Sequence, residues 1–139
     1  MSAGASEKAR IGDPHIGVAL VPGDGGCLIW PLLAGMCKAK QYLMTGDMVS
    51  AAEAERIGLI TKVVPPEELM EEAWKWAKRF ADGPTFALSL TKKCLNKIIE
   101  DRINLLFDTM IAYEYHSMNS EDHLEAAKAF LEKRAPKFK

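Results

Sequence analysis

The chain has 139 residues, 48% of them hydrophobic and 27% charged, with a formal net charge of −1. Such values belong to a globular domain that buries roughly two-thirds of the surface its unfolded chain exposes. They leave no basic face for nucleic acid, and no apolar run approaches the ~20 residues that cross a bilayer.

Residues 1–9 are small and polar, and the first eight lack the apolar run of a secretory signal. Arg10 to Val21 reads as a strand region, because Ile16-Gly17-Val18-Ala19-Leu20-Val21 is a continuous aliphatic run bounded by turn formers. Pro22-Gly23-Asp24-Gly25-Gly26 is a turn. From Cys27 the pattern becomes helical (Leu28, Ile29, Leu32, Leu33) until Gly35, and Lys38 to Thr45 predicts a second short helix ended by Gly46. Ser50 with Glu53 predicts a capping box for a helix over Ala51–Ile57, closed by Gly58 in a left-handed conformation. Leu59 to Val64 is the second strand candidate, halted by Pro65-Pro66. Glu67–Ala81, Pro84–Ile99, Asp101–Met118 and a helix from Ser120 to about Arg134 complete the chain. The pattern thus predicts at least six helices and two strands, an α-rich α/β class in which the strands need neighbours to form a core.

His15 follows Asp13-Pro14, and Asp24 lies nine residues beyond it at the far end of the apolar run. An imidazole with a carboxylate partner is the usual equipment for proton transfer near neutral pH, so His15 is the candidate acid–base group and Asp24 its orienting partner. Asp13 is expected to cap a turn. The glycines at 23, 25 and 26 lack the Lys-Ser/Thr ending of a phosphate loop and predict a tight turn packed beside a helix. His116 and His123, seven residues apart on helical segments, are too distant for one metal and are expected at the surface. Trp74 and Trp76 are expected in the core and at an interface. Cys27, Cys37 and Cys94 are odd in number and widely spaced without metal-ligand spacing, which predicts free thiols in a reducing compartment, by default the cytoplasm.

Several stretches, taken in order, resemble the crotonase (enoyl-CoA hydratase/isomerase) superfamily. They are 6–15 with 22–26, Tyr42-Leu43-Met44-Thr45-Gly46-Asp47, the Ala-rich run from Ala51 to Leu59, Val63-Val64-Pro65, and the ending Ala129-Phe130-Leu131-Glu132-Lys133-Arg134-Ala135-Pro136-Lys137-Phe138. The resemblance covers nearly the whole chain and implies the C-terminal half of a ClpP/crotonase-like fold, few strands followed by a helical oligomerisation region. Residues 1–66 would then be part of a crotonase core, and 67–139 a helical trimerisation region. It further implies acid–base chemistry on an acyl-CoA thioester through a stabilised enolate. No cofactor is implied beyond the CoA of the substrate, no metal, no nucleic acid and no membrane, and the partner is a second copy in a trimer or hexamer. Phe130 and Lys133 stand where family members contact CoA, and a Lys point charge suits phosphate.

Two departures qualify the resemblance. The family's oxyanion segments, an Ala-Gly-x-Asp loop and a Gly-Gly-Gly turn, do not occur in these 139 residues. Because such donors are commonly worth ~10²–10³ each in rate, this chain alone is expected to be a poor catalyst or an inactive one. Hydratases of the family also carry Glu after the motif's proline, where this chain has His15. The His15–Asp24 pairing instead resembles a smaller branch of β-diketone hydrolases such as 6-oxocamphor hydrolase, in which a His/Asp pair activates water to cleave a C–C bond. A third expectation, outside enzymology, is a non-catalytic module that self-associates through its amphipathic helices.

Overall fold

A computed structural model of the protein describes residues 4–139. The first three residues of the small polar amino-terminal segment therefore lie outside the described residues. The elements are β1 (Gly4–Ser6), β2 (Arg10–Ile11), α1 (Gly26–Thr45), β3 (Val49–Ser50), α2 (Ala51–Arg56), β4 (Lys62–Val64), α3 (Leu69–Ala81), α4 (Thr85–Met118) and α5 (Glu121–Leu131). Short 3₁₀ turns occupy His15–Val18 and Pro66–Glu68. The helix-rich α/β class is the one the sequence predicts, with shorter and more numerous strands. No helix among the described residues is long and apolar enough to cross a membrane.

The chain forms two compact units. The first comprises 4–11 with Val49–Leu105. There β1 and β4 pair in parallel from Gly4↔Lys62 to Ser6↔Val64, while β2 and β3 pair antiparallel with Arg10↔Ser50 and Ile11↔Val49. Ser50 caps α2 as expected, its Oγ accepting from the Glu53 N–H at 3.2 Å. Ala51 and Ala54 are fully buried, so α2 packs at backbone distance. The strand expected over 59–64 is paired only from Lys62. With Gly58 left-handed at φ 82°, the N–H groups of Leu59 and Ile60 both donate to Ala54 O, finishing the helix instead of joining a ladder. Between β1, β4 and α3 lies a cavity of about 260 Å³ lined largely by Val64, Leu69, Ala73, Trp76, Ala77 and Phe80. Trp76 Nε1 donates to Glu72 at 2.9 Å, whereas Trp74 is exposed.

The second unit comprises Gly12–Met48 and Leu106–Lys139. Its core gathers Leu28, Trp30, Ala39, Tyr42 and Leu43 of α1 with Met110, Ala126 and Ala129. The stop expected at Gly35 is present as a break inside α1, with φ 78° and ψ 159°. The Trp30 and Tyr42 rings, from either side of that break, meet at 5.7 Å.

Two expectations are corrected here. Ile16–Val21 is not a strand: Pro14 O, Ile16 O and His15 O accept from Gly17, Ala19 and Leu20, and Ala19 turns left-handed at φ 56°. Backbone groups satisfied locally have no need of a ladder, and Ile16 and Val18 remain exposed. Nor do residues 85–118 form two helices. The polar stretch around Glu100-Asp101 holds no Gly or Pro, Lys97 pairs with Glu100 at 2.5 Å, and α4 runs unbroken for 34 residues, ~51 Å at the α-helical rise. α5 is capped as expected, Ser120 Oγ accepting from the His123 N–H at 3.1 Å. It ends at Leu131, three residues early, because Glu125 takes the Arg134 side chain and the Lys137 N–H at 2.9 Å.

The break at Gly35 provides a clean test. A Cβ there meets nothing within 4 Å, so Gly35→Ala is expected to cost ~1–3 kcal/mol through backbone conformation alone, read as a lower midpoint with unchanged slope in urea unfolding.

Candidate active site

Three side chains of the second unit converge where the chain turns from β2 into α1. Asp13 and His15 are separated only by Pro14, which keeps the preceding residue out of helical conformation. The Asp13 carboxylate bends back over the 3₁₀ turn. Its Oδ1 accepts from the His15 N–H at 3.4 Å and lies 2.5 Å from His15 Nδ1. An ionised carboxylate can only accept, so Nδ1 carries the proton of that bond. Nε2 is thereby left as the exchanging nitrogen, 3.8 Å from Asp24 Oδ2, a charge contact longer than a hydrogen bond.

Glycines make this approach possible. A Cβ at Gly26, the first residue of α1, would collide with Asp13 Oδ2, so the carboxylate packs where that side chain would be, over the helix N-terminus that favours negative charge. A Cβ at Gly23 would collide with Met110 O of α4 and come within 2.8 Å of the Glu114 Cβ. The expected tight turn beside a helix is therefore present, and Gly25 adds a left-handed φ of 142°.

Burial works against a charged imidazole at His15. The Asp13 hydrogen bond and the charges of Asp13, Asp24 and Glu114 outweigh it and raise its pKa above the ordinary 6.5. Burial, then the charges of Asp13 and Asp24, push the neighbouring Cys27 thiol up, so it stays protonated and weakly nucleophilic. Ligand atoms of Asp13, His15 and Asp24 all lie within 4.8 Å of one another. These are the side chains that could chelate a cation, although the Asp13 bond commits Nδ1 to a proton.

The structure thus brings His15 and Asp24 together and adds Asp13 as the carboxylate bonded to the ring. Asp13 accepts from the His15 N–H in the turn, as expected, and bonds the imidazole as well. Its Asp-x-His spacing was the signal available in the sequence. Glu114, ninety-nine residues after His15 on another helix, left no such signal. Phe130, the penultimate residue of α5, is 79% exposed, and Lys133 lies just beyond the helix in a left-handed conformation at φ 53°. Neither belongs to the His15 cluster. His116 is exposed, and His123 Nδ1 lies 2.8 Å from Val18 O. All three cysteines are free thiols.

A half-buried imidazole clasped by carboxylates thus sits on a helix-rich α/β frame, an arrangement able to exchange protons. Residues 3–139 match the enoyl-CoA hydratase/isomerase family, and the chain belongs to it. It is 38% identical to the short-chain-enoyl-CoA hydratase of Clostridium acetobutylicum over 134 residues, covering 94% of this chain and 50% of that protein. Identity to the crotonyl-CoA hydratase of Syntrophomonas wolfei is also 38%, over 138 residues, covering 96% and 52%. A crystal structure of an enoyl-CoA hydratase/isomerase from Pseudoalteromonas atlantica superposes with a TM-score of 0.90 at 28% identity, covering 98% and 55%. The chain spans about half the length of the curated relatives it matches. These names give the narrower likeness to β-diketone hydrolases no support, and the ring-bonded carboxylate is Asp13 where that likeness rested on Asp24.

Two outcomes are expected from the geometry. Gly26→Ala should displace Asp13 and lower the His15 titration midpoint, followed by its ring proton resonances in NMR. Because the folded-state pKa is raised, His15 stabilises the protein fully below about pH 6.5, and this contribution is lost as pH rises through the folded midpoint. The stability difference between wild type and His15→Gln, from denaturant unfolding across pH, should shrink in that direction.

Proposed function

We propose that this chain carries the acid–base part of an enoyl-CoA hydratase-type reaction on an acyl-CoA thioester. The observation that carries the reading is His15, bonded through Nδ1 to Asp13 with Nε2 left for the reacting proton, in a chain of this family. Nε2 takes a proton from water as its oxygen bonds to the β-carbon of the enoyl thioester. The π electrons pass to the thioester oxygen as an enolate, and the imidazolium then returns a proton to the α-carbon. The enolate would be held by the backbone donors that the resemblance assigns to the family's amino-terminal half. The reaction is redox-neutral, and CoA enters as part of the substrate.

Phe130 and Lys133 are the proposed CoA contacts, an exposed ring and an exposed cation at the end of α5. Residues 67–139 are proposed as the self-association region, giving a trimer or hexamer in the cytoplasm. Supporting this, α3 to α5 leave Trp74, Phe86, Leu95, Leu105 and Leu131 exposed, and apolar exposure on this scale marks contact surfaces.

Crotonyl-CoA hydration, followed by loss of the enoyl thioester absorbance, tests the reading. His15→Ala is expected to lower turnover by ~10²–10⁴, and an unchanged rate would overturn the acid–base role. A stable oligomer with neither turnover nor CoA binding would point instead to the non-catalytic assembly module. Lys133→Ala should weaken CoA binding in calorimetry without changing the oligomer.

A further inference from the structure

The turn that carries Asp24 is held at a second point, away from the reacting groups. The Val21 N–H donates to Ser117 Oγ at 3.1 Å, across 96 residues of sequence. The Ser117 hydroxyl is itself oriented, donating to Glu114 O at 2.7 Å in the preceding turn of α4. Two residues beyond Val21, Gly23 presses its backbone against Met110 and Glu114 of the same helix. Pro22 and Gly23 are buried, while Asp24 emerges at 63% side-chain exposure. The segment therefore rests on α4 through one directed hydrogen bond and one steric contact, and Asp24 is the first residue to leave that seat.

We propose that Ser117 is a positioning residue: its hydroxyl pins the turn from Val21 to Asp24 onto α4 and so fixes where the Asp24 carboxylate stands relative to His15 Nε2. The Ser117 hydroxyl bonds Val21 and Glu114 and is not among the groups acting on the imidazole. Its influence on turnover rests on the acid–base role proposed for His15, whereas the pinning does not depend on that role.

The groups that face His15 are Asp13, Asp24 and, from α4, Glu114. Ser117 should act through Asp24 alone, which a titration can separate. In Ser117→Ala and Ser117→Val the His15 midpoint, read by NMR, is expected to fall toward the ordinary histidine value. Ser117→Thr, which keeps the hydroxyl, should restore it. In an Asp24→Asn background Ser117→Ala should add no further shift. An unmoved midpoint in folded Ser117→Ala, or an equal shift in the Asp24→Asn background, would overturn the proposal. Should the Ser117 variants fail to fold, amide exchange of the unaltered protein decides it: Val21 is expected to be protected, and exchange at an open-loop rate would sink the idea. Neither readout requires turnover, so a failed hydratase assay would leave this result standing.

Discussion

The Asp13 carboxylate is the contact from which the rest of the site follows. By accepting from both the backbone and the ring of His15, it commits the chain to a tight turn directly after β2. That turn excludes an extended ladder over the aliphatic residues behind it, and their amides close on local carbonyls instead. It also requires the next helix to start with a residue that has no side chain, since Asp13 Oδ2 lies in the space a Cβ at Gly26 would fill. One carboxylate thus sets the backbone course, the imidazole tautomer and the residue allowed at a helix start.

The electrostatics are built in the same economical way. Partial burial by itself would lower the basicity of this histidine. Three carboxylates from three separate places in the sequence reverse that, and only one of them forms a hydrogen bond to the ring. The two longer-range charges differ in kind. Glu114 belongs to a long helix whose backbone touches the turn, whereas Asp24 stands largely in solvent. Screening acts more strongly on the second. The basicity of His15 therefore has a fixed part and a part that responds to ionic strength.

Helix starts and stops were the most legible features of the sequence, because they depend on a few residues in contact with their own backbone. Ser50, Ser120, Gly35 and Gly58 each do what their chemistry implies. The aliphatic run after His15 misled because β-branched composition describes a pleated, half-buried surface, and here the turn set by Asp13 had already spoken for those amides. The polar pair at Glu100-Asp101 misled in the opposite sense. Charges inside an exposed helix find partners one turn away, and without Gly or Pro nothing ends it. His15 and Asp24 stand out as a pair because they flank one short aliphatic run. Asp13 reads from the sequence as a turn cap alone. Glu114 and Ser117 were invisible, since only the tertiary path of α4 brings them beside the turn.

The glycines of the turn close off most routes by which this site can change. At 23 and 26 any side chain meets a carbonyl or a carboxylate, and Asp13 cannot be exchanged without undoing the turn itself. Asp24 is different: it is solvated and outside hydrogen-bonding distance of the ring. The basicity of the imidazole can drift at that solvated position while the turn around it stays fixed. Divergence among proteins built on this same turn should therefore concentrate at position 24, where a neutral, a longer or an opposite-charged side chain would retune the imidazole without rebuilding the site.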